Sequence, residues 1–161
     1  MLENKTNLAN LLKDPSLLVT KGFLAGDWVD GEKGATFDVY NPARGDVIAQ
    51  VSDLSRTQAA AAIAAAEGAQ KNWATITAKE RSIILRNWFN LMIENANDLA
   101  IILTAEQGKP LVEAKGEIVY GASFIEFFAE EAKRVYGETI PGHQPDKRIT
   151  VIKQPIGVAA S

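Results

Sequence analysis

The chain has 161 residues, 47% hydrophobic and 23% charged, with a formal net charge of −3 and acidic and basic side chains interleaved along it. That is the balance of a globular protein long enough for a real core, and without a basic stripe it speaks against nucleic-acid binding through phosphate neutralisation. There is no cysteine and a single histidine, His143, which excludes from these residues a disulfide framework, a thiolate nucleophile and any site that needs two imidazoles.

No apolar run approaches membrane-spanning length, so no membrane partner is expected. The opening "MLENKTNLANLLKDPSLL" carries Glu3 and Asp14, has no arginine and spaces its leucines helically. It lacks the basic head and continuous apolar stretch of a secretory signal, and the cytoplasm is the expected compartment.

In chain order, Leu8, Leu11 and Leu12 put one apolar edge on a short N-terminal helix ending near Asp14-Pro15. Short extended pieces follow. "GFLAGDWV" folds about Gly26-Asp27, "DGEKG" leads into "ATFDVY", and "NPARG" turns the chain into "DVIAQV". Asn41-Pro42 is a turn opener, because proline fixes φ and asparagine bonds its own backbone. These pieces predict a small antiparallel meander.

From Ser55 onward the pattern is helical. "SRTQ" and "TAKE" each fit a capping box, with Ser55 and Thr77 as caps and Gln58 and Glu80 reaching back. An alanine run fills the first helix, and Ile84, Leu85, Trp88, Leu91 and Met92 form a broad apolar face on the second. A third helix over "NDLAIILTAEQ" ends at Gly108, where a left-handed cap needs no Cβ. Pro110 suits the first turn of a fourth helix, which runs to about Tyr136. The tail from Arg148 returns to strand character, and Ile156-Gly-Val-Ala-Ala reads as a buried strand getting under way. The fold class is therefore α+β: the meander, a four-helix layer and a C-terminal strand.

The fourth helix is the most informative segment. Gly116 and Gly121 sit in its interior, each costing roughly 1 kcal/mol against alanine, which suggests that a backbone or a ligand must come close. Gly116, Tyr120 and Phe124 are four apart and share a face that Phe127 and Phe128 extend, with Glu130, Lys133 and Arg134 expected opposite. The residues alone favour an aromatic helix packed in a core over a ligand wall. "EQGKP" has one glycine and one lysine but not the spacing of a phosphate loop, and reads as a helix end followed by a helix start. Glu106 near that end is unfavourable for the helix dipole, which points to a cation or basic partner; a solvated surface carboxylate is the plainer reading. His143 lies in a polar loop with no ligand at metal spacing. Trp28, Trp73 and Trp88 read as core or interface anchors.

Taken together, "YNPARGDVIAQV", the run "KNWATITAKERSIILRNWFNLMIENANDLAIILTAEQGKP", "EAKGEIVYGASFIEFFAEEAKRVYGETIPG" and "DKRITVIKQPIGVAAS" closely resemble, in order and spacing, the N-terminal part of the aldehyde dehydrogenase family. The likeness covers residues 23–161 and is greatest to the succinate-semialdehyde dehydrogenase branch.

The resemblance implies an α/β aldehyde dehydrogenase fold of which residues 1–146 form the β-meander and helical part of the dinucleotide-binding domain. Residues 147–161 would begin the oligomerisation strand region. It implies an enzyme oxidising succinate semialdehyde to succinate with NADP or NAD, by attack of a cysteine thiolate on the aldehyde, hydride transfer to the nicotinamide and hydrolysis of the thioester by a glutamate-activated water. The family's cysteine, cofactor loop and general base have no counterparts here, so no catalytic or cofactor-binding residue is assigned, and neither activity nor bound cofactor is expected of this chain alone. Two roles carry over: Gly116, Tyr120 and Phe124 match the wall of the substrate tunnel, and Val39 and Glu106 match positions that hold a monovalent cation in some relatives. Homo-oligomers, dimers or tetramers, would form through the strand at about residues 149–154.

The chain is accordingly expected to be a truncated first third of such an enzyme, folding poorly or only by association because it exposes faces meant for the parallel sheet. The alternatives are a naturally short, non-catalytic helical protein that binds a partner, and part of a dehydrogenase for another semialdehyde.

Overall fold

The computed structural model describes residues 7–160. Its elements, in order, are strands β1 (Gly22–Leu24), β2 (Asp27–Val29), β3 (Thr36–Tyr40) and β4 (Val47–Ser52), then helices α1 (Arg56–Thr75), α2 (Ala78–Glu94), α3 (Ala96–Gln107) and α4 (Leu111–Glu131), and finally strands β5 (Glu138–Pro141) and β6 (Arg148–Val151).

The α+β class holds, but the strands do not form one meander. They pair as three separate antiparallel hairpins, β1 with β2, β3 with β4 and β5 with β6. The first hairpin turns through Ala25 and Gly26, both at positive φ, one residue earlier than Gly26-Asp27. Cross-strand Phe23 and Trp28 stack edge to face at 5.1 Å. The first two hairpins are linked by the Ser52 N–H donating to the Thr20 carbonyl at 2.9 Å, and the Asp53 N–H donating to the Ala35 carbonyl at 2.9 Å extends the β3–β4 pairing by one step.

The N-terminal leucines lie on a short 3₁₀ turn, Leu8–Leu11, and not on an α-helix; a second such turn covers Pro15–Leu17. Leu8 and Leu12 are buried and Leu11 is exposed. What fastens this arm is Asp98, a buried carboxylate in the first turn of α3, which accepts the Lys13 N–H at 3.1 Å and the Asp14 N–H at 2.8 Å.

Both capping boxes form as read. Ser55 Oγ accepts from Gln58 N at 3.2 Å, and Gln58 Oε1 accepts from Ser55 N at 3.0 Å and from Glu32 N at 3.1 Å, so one side chain caps α1 and ties it to the strand region. Thr77 and Glu80 repeat the arrangement on α2. Gly108 ends α3 at φ 80°, its N–H donating to the Thr104 carbonyl, and Pro110 sits at the cap just before α4. Helix α4 stops at Glu131, five residues short of Tyr136, its end closed by turns in which Lys133 N and Arg134 N donate to the carbonyls of Glu130 and Glu131.

Helices α2, α3 and α4 form the packed layer, with the α2–α4 contact the most extensive. Its centre is made of alanine: Ala100, Ala114, Ala122 and Ala129 are wholly inaccessible, while no large side chain among the described residues is. Trp28, Trp73 and Trp88 are 56%, 40% and 55% exposed, so none is a core anchor. The surface is correspondingly large. A compact monomer of 17.4 kDa exposes about 7,900 Å², and this chain exposes 12075 Å². The tail strand is also shorter than expected, ending at Val151, and the apolar run beyond it forms no strand: Ile156 is 96% exposed. Its pattern is that of a buried strand, but the described chain supplies no sheet to receive it.

Candidate functional site

Helix α4 carries two faces. At about 100° per residue, Ile118, Ala122, Ile125 and Ala129 cluster on the side that packs into the layer. Gly116, Tyr120, Phe124 and Phe127 cluster roughly half a turn away. The sequence placed Glu130 opposite the aromatics; the packed alanine face holds that position, and Glu126 and Glu130 flank it toward α2. Tyr120, Phe124 and Phe127 are 65%, 49% and 57% exposed, so the reading of this face as core is overturned for the described residues. The rings order one another: Tyr120 and Phe124 meet edge to face at 4.9 Å, and Phe127 and Phe128 at 5.3 Å. A Cβ built on Gly116 or Gly121 would meet nothing within 4 Å. The helix glycines therefore do not ease a crossing inside this chain.

Helix α4 is bonded to α2 through two of its carboxylates. Arg86 donates through Nη1 to Glu126 Oε1 at 2.5 Å and through Nη2 to Glu130 Oε1 at 2.7 Å, with its guanidinium 5.3 Å from the centre of the Phe89 ring. Glu130 Oε2 takes a further bond from Lys133 at 3.0 Å. Lys133, and after it Arg86, holds the Glu130 carboxyl below the usual carboxylate range, and the two glutamates push the guanidinium up.

The second pair of expected residues lies on two elements, β3 and α3, whose following turns touch. Val39 lies in β3 beside a bulge, where the register shifts from Val39↔Ala49 to Tyr40↔Val47. Glu106 stands exposed in the last turn of α3, which contains no basic residue. Between the two elements Pro42 packs so closely on Gly108 that an added Cβ would lie 2.9 Å from its Cγ. On the same side a cleft of about 420 Å³ opens between the N-terminal arm (Leu8, Leu11), the β3–β4 turn (Asn41, Arg44) and α3 (Ile101, Thr104). The Thr104 hydroxyl is buried there without a hydrogen-bond partner. Among the described residues no three His, Cys, Asp or Glu side chains gather as a metal cage. Val39 and Glu106 would offer one carbonyl and one carboxylate, oxygen donors of the kind a hard monovalent cation takes.

"EQGKP" is a helix end and a helix start, and Lys109 is paired with Glu117. His143 is exposed in the β5–β6 loop. Sequence reading missed β5, the Asp98 clasp and the Arg86 fork. The i, i+4 spacing of Glu126 and Glu130 was a signal that two carboxylates share one edge of α4, but their partner is 40 and 44 residues away.

The chain matches known proteins over most of its length. The chain is 59% identical over 150 residues to glutarate-semialdehyde dehydrogenase of Pseudomonas putida, and 57% identical over 150 residues to the NADP(+) succinate-semialdehyde dehydrogenase of Escherichia coli. Each match covers 93% of this chain and 31% of the relative. The crystal structure of succinate-semialdehyde dehydrogenase from Burkholderia pseudomallei superposes with a TM-score of 0.88 at 53% identity, over 91% of this chain and 30% of that one. The chain thus spans about a third of the length of the relatives it matches, and its helices and strand pairs correspond to the N-terminal part of their fold. The family model described as the aldehyde dehydrogenase family matches residues 28–161. On a match of that extent, the chain belongs to the aldehyde dehydrogenase family.

Proposed function

We propose that this chain supplies the N-terminal helical layer of an NAD(P)-dependent dehydrogenase for a short semialdehyde that ends in a carboxylate, succinate semialdehyde being the first choice. The observation that carries the reading is the 57–59% identity, over 93% of the chain, to dehydrogenases named for succinate and glutarate semialdehyde. Those two substrates share an aldehyde at one end and a carboxylate at the other and differ by one methylene. A pocket separates such a pair by only about 1–3 kcal/mol, so the chemical class is the firmer part of the proposal.

In this reading the open face of α4 is one wall of the aldehyde's path. Gly116 leaves room for the chain of the substrate, and Tyr120 and Phe124 give it an apolar, rigid surface. The reacting groups are contributed from outside these residues, among which there is no cysteine. NADP or NAD would accept the hydride. Val39 and Glu106 would share a monovalent cation; exchanging sodium and potassium for tetramethylammonium should then lower the melting temperature of the wild type and leave that of Glu106→Gln unchanged. We further propose that residues 1–146 belong to the dinucleotide-binding domain and 147–161 begin the oligomerisation region. Strand β5 joins β6 across that boundary, and homo-oligomers would form through this wholly exposed hairpin. The compartment would be the cytoplasm.

The test is the kcat/KM of the complete dehydrogenase for succinate semialdehyde, glutarate semialdehyde and uncharged butanal. The proposal requires both semialdehydes to exceed butanal by at least tenfold, about 1.4 kcal/mol of transition-state binding. Equal values for butanal would reject it.

A further inference from the structure

We infer that Arg86 is a positioning residue for the aldehyde: by gripping two carboxylates of α4 it sets the rotation and register of the helix whose open face presents Tyr120 and Phe124. The inference rests on the proposal that this face lines the substrate's path. It begins from how the packed side of α4 is built. Ala114, Ala122 and Ala129 are wholly inaccessible, with the half-buried Ile118 and Ile125 between them. Such apolar ridges pack closely but carry no directional contact of their own.

Arg86 supplies a directional one. Glu126 and Glu130 are one helical turn apart, and the two terminal nitrogens of a single planar guanidinium take one each, at 2.5 and 2.7 Å. Sliding α4 by a residue would carry the carboxylates about 1.5 Å along the axis and about 100° around it, and neither bond would survive. The aromatic rings belong to the same rigid helix, so the fork that fixes Glu126 and Glu130 also fixes where Tyr120 and Phe124 point. A lysine has one ammonium and no fork, and could hold only part of this arrangement.

The experiment compares Arg86→Met, Arg86→Lys and the double variant Glu126→Gln/Glu130→Gln in the complete dehydrogenase, with Tyr120→Ala and Phe124→Ala as controls on the wall. Activity is normalised by titration of the active-site thiol, well below the melting temperature. A shift of the wall by an ångström is expected to raise KM for succinate semialdehyde by about tenfold in Arg86→Met, with kcat within about twofold of wild type. Arg86→Lys should fall between the two. The glutamine pair, which keeps the volume of the glutamates, should reproduce Arg86→Met and serves in its place if that variant does not fold. A purely structural role would lower the melting temperature and leave KM unchanged, which overturns the inference. If the wall variants shift KM and the Arg86 and glutamine variants do not, positioning fails and the wall stands. If the wall variants themselves leave KM unchanged, the wall reading falls and the inference with it.

Discussion

Gly116 offers the sharpest single substitution. Within this chain a methyl group added there touches nothing within 4 Å, so Gly116→Ala carries no steric penalty from the described residues. Alanine in a helix interior is favoured over glycine by about 1 kcal/mol, partly through the smaller entropy of the unfolded chain. If the space over Gly116 is a path for substrate, it is empty of protein in the ligand-free enzyme. Gly116→Ala should then raise the stability of the ligand-free dehydrogenase by about 1 kcal/mol in urea denaturation, while KM for the semialdehyde rises because the methyl group stands in the path. If the space is instead filled by another part of the fold, the methyl group overpacks it, and stability falls by about 1–3 kcal/mol. The two readings differ in sign. A destabilised ligand-free enzyme, or a stabilised one with unaltered KM, would refute the reasoning.

Thr77→Ala removes the hydroxyl that accepts from Glu80 N and should cost about 1 kcal/mol, seen as faster amide exchange confined to the first turn of α2. Asp98→Asn replaces one of two acceptor oxygens with a donor facing the Lys13 and Asp14 N–H groups; leaving one buried donor unmatched should cost about 1–3 kcal/mol and make the N-terminal arm the first site of limited proteolysis. The hydroxyl and N–H of Thr77 hold the Glu80 carboxyl below its usual value of 4.5. A lowered carboxylate contributes stability that is complete above that value and is lost as pH falls through the lowered one. Protection at the start of α2 should therefore be flat from neutral pH down to about 4.5 and fall below it, and Glu80→Gln should flatten the fall; loss of protection on raising the pH would contradict the assignment.

What the sequence made legible was what depends on near neighbours. Ser55 with Gln58 and Thr77 with Glu80 act across three residues, and Gly108 ends α3 through its own φ, so each could be read from a short window. The fastening of the layer could not. Asp98 reaches partners 85 and 84 residues away, and Arg86 reaches across 40 and 44. The alanine core gave no hydrophobic signal, because alanine is as common on a solvated helix as in a tight crossing. The large apolar residues that did give one, Trp88, Leu91, Phe127 and Ile156 among them, are exposed. Their periodicity is that of surfaces to be covered, and no covering partner is among the described residues. The roles proposed for Gly116, Tyr120, Val39 and Glu106 rest on resemblance, the helix glycines and the placing of Glu106 being weaker signals, since no local pattern distinguishes an open aromatic helix from a packed one.

The central claim is that these 161 residues form a layer whose apolar faces need another body of protein. The excess surface of roughly 4,000 Å² over a compact monomer is its measure. Scanning calorimetry of the 161-residue chain, at a concentration where sedimentation shows a monomer, tests this most directly. The account predicts a broad, weak transition, or none until the chain self-associates. A single sharp endotherm from the monomer, near the ~110 kcal/mol expected of a cooperative domain of this length, would contradict it.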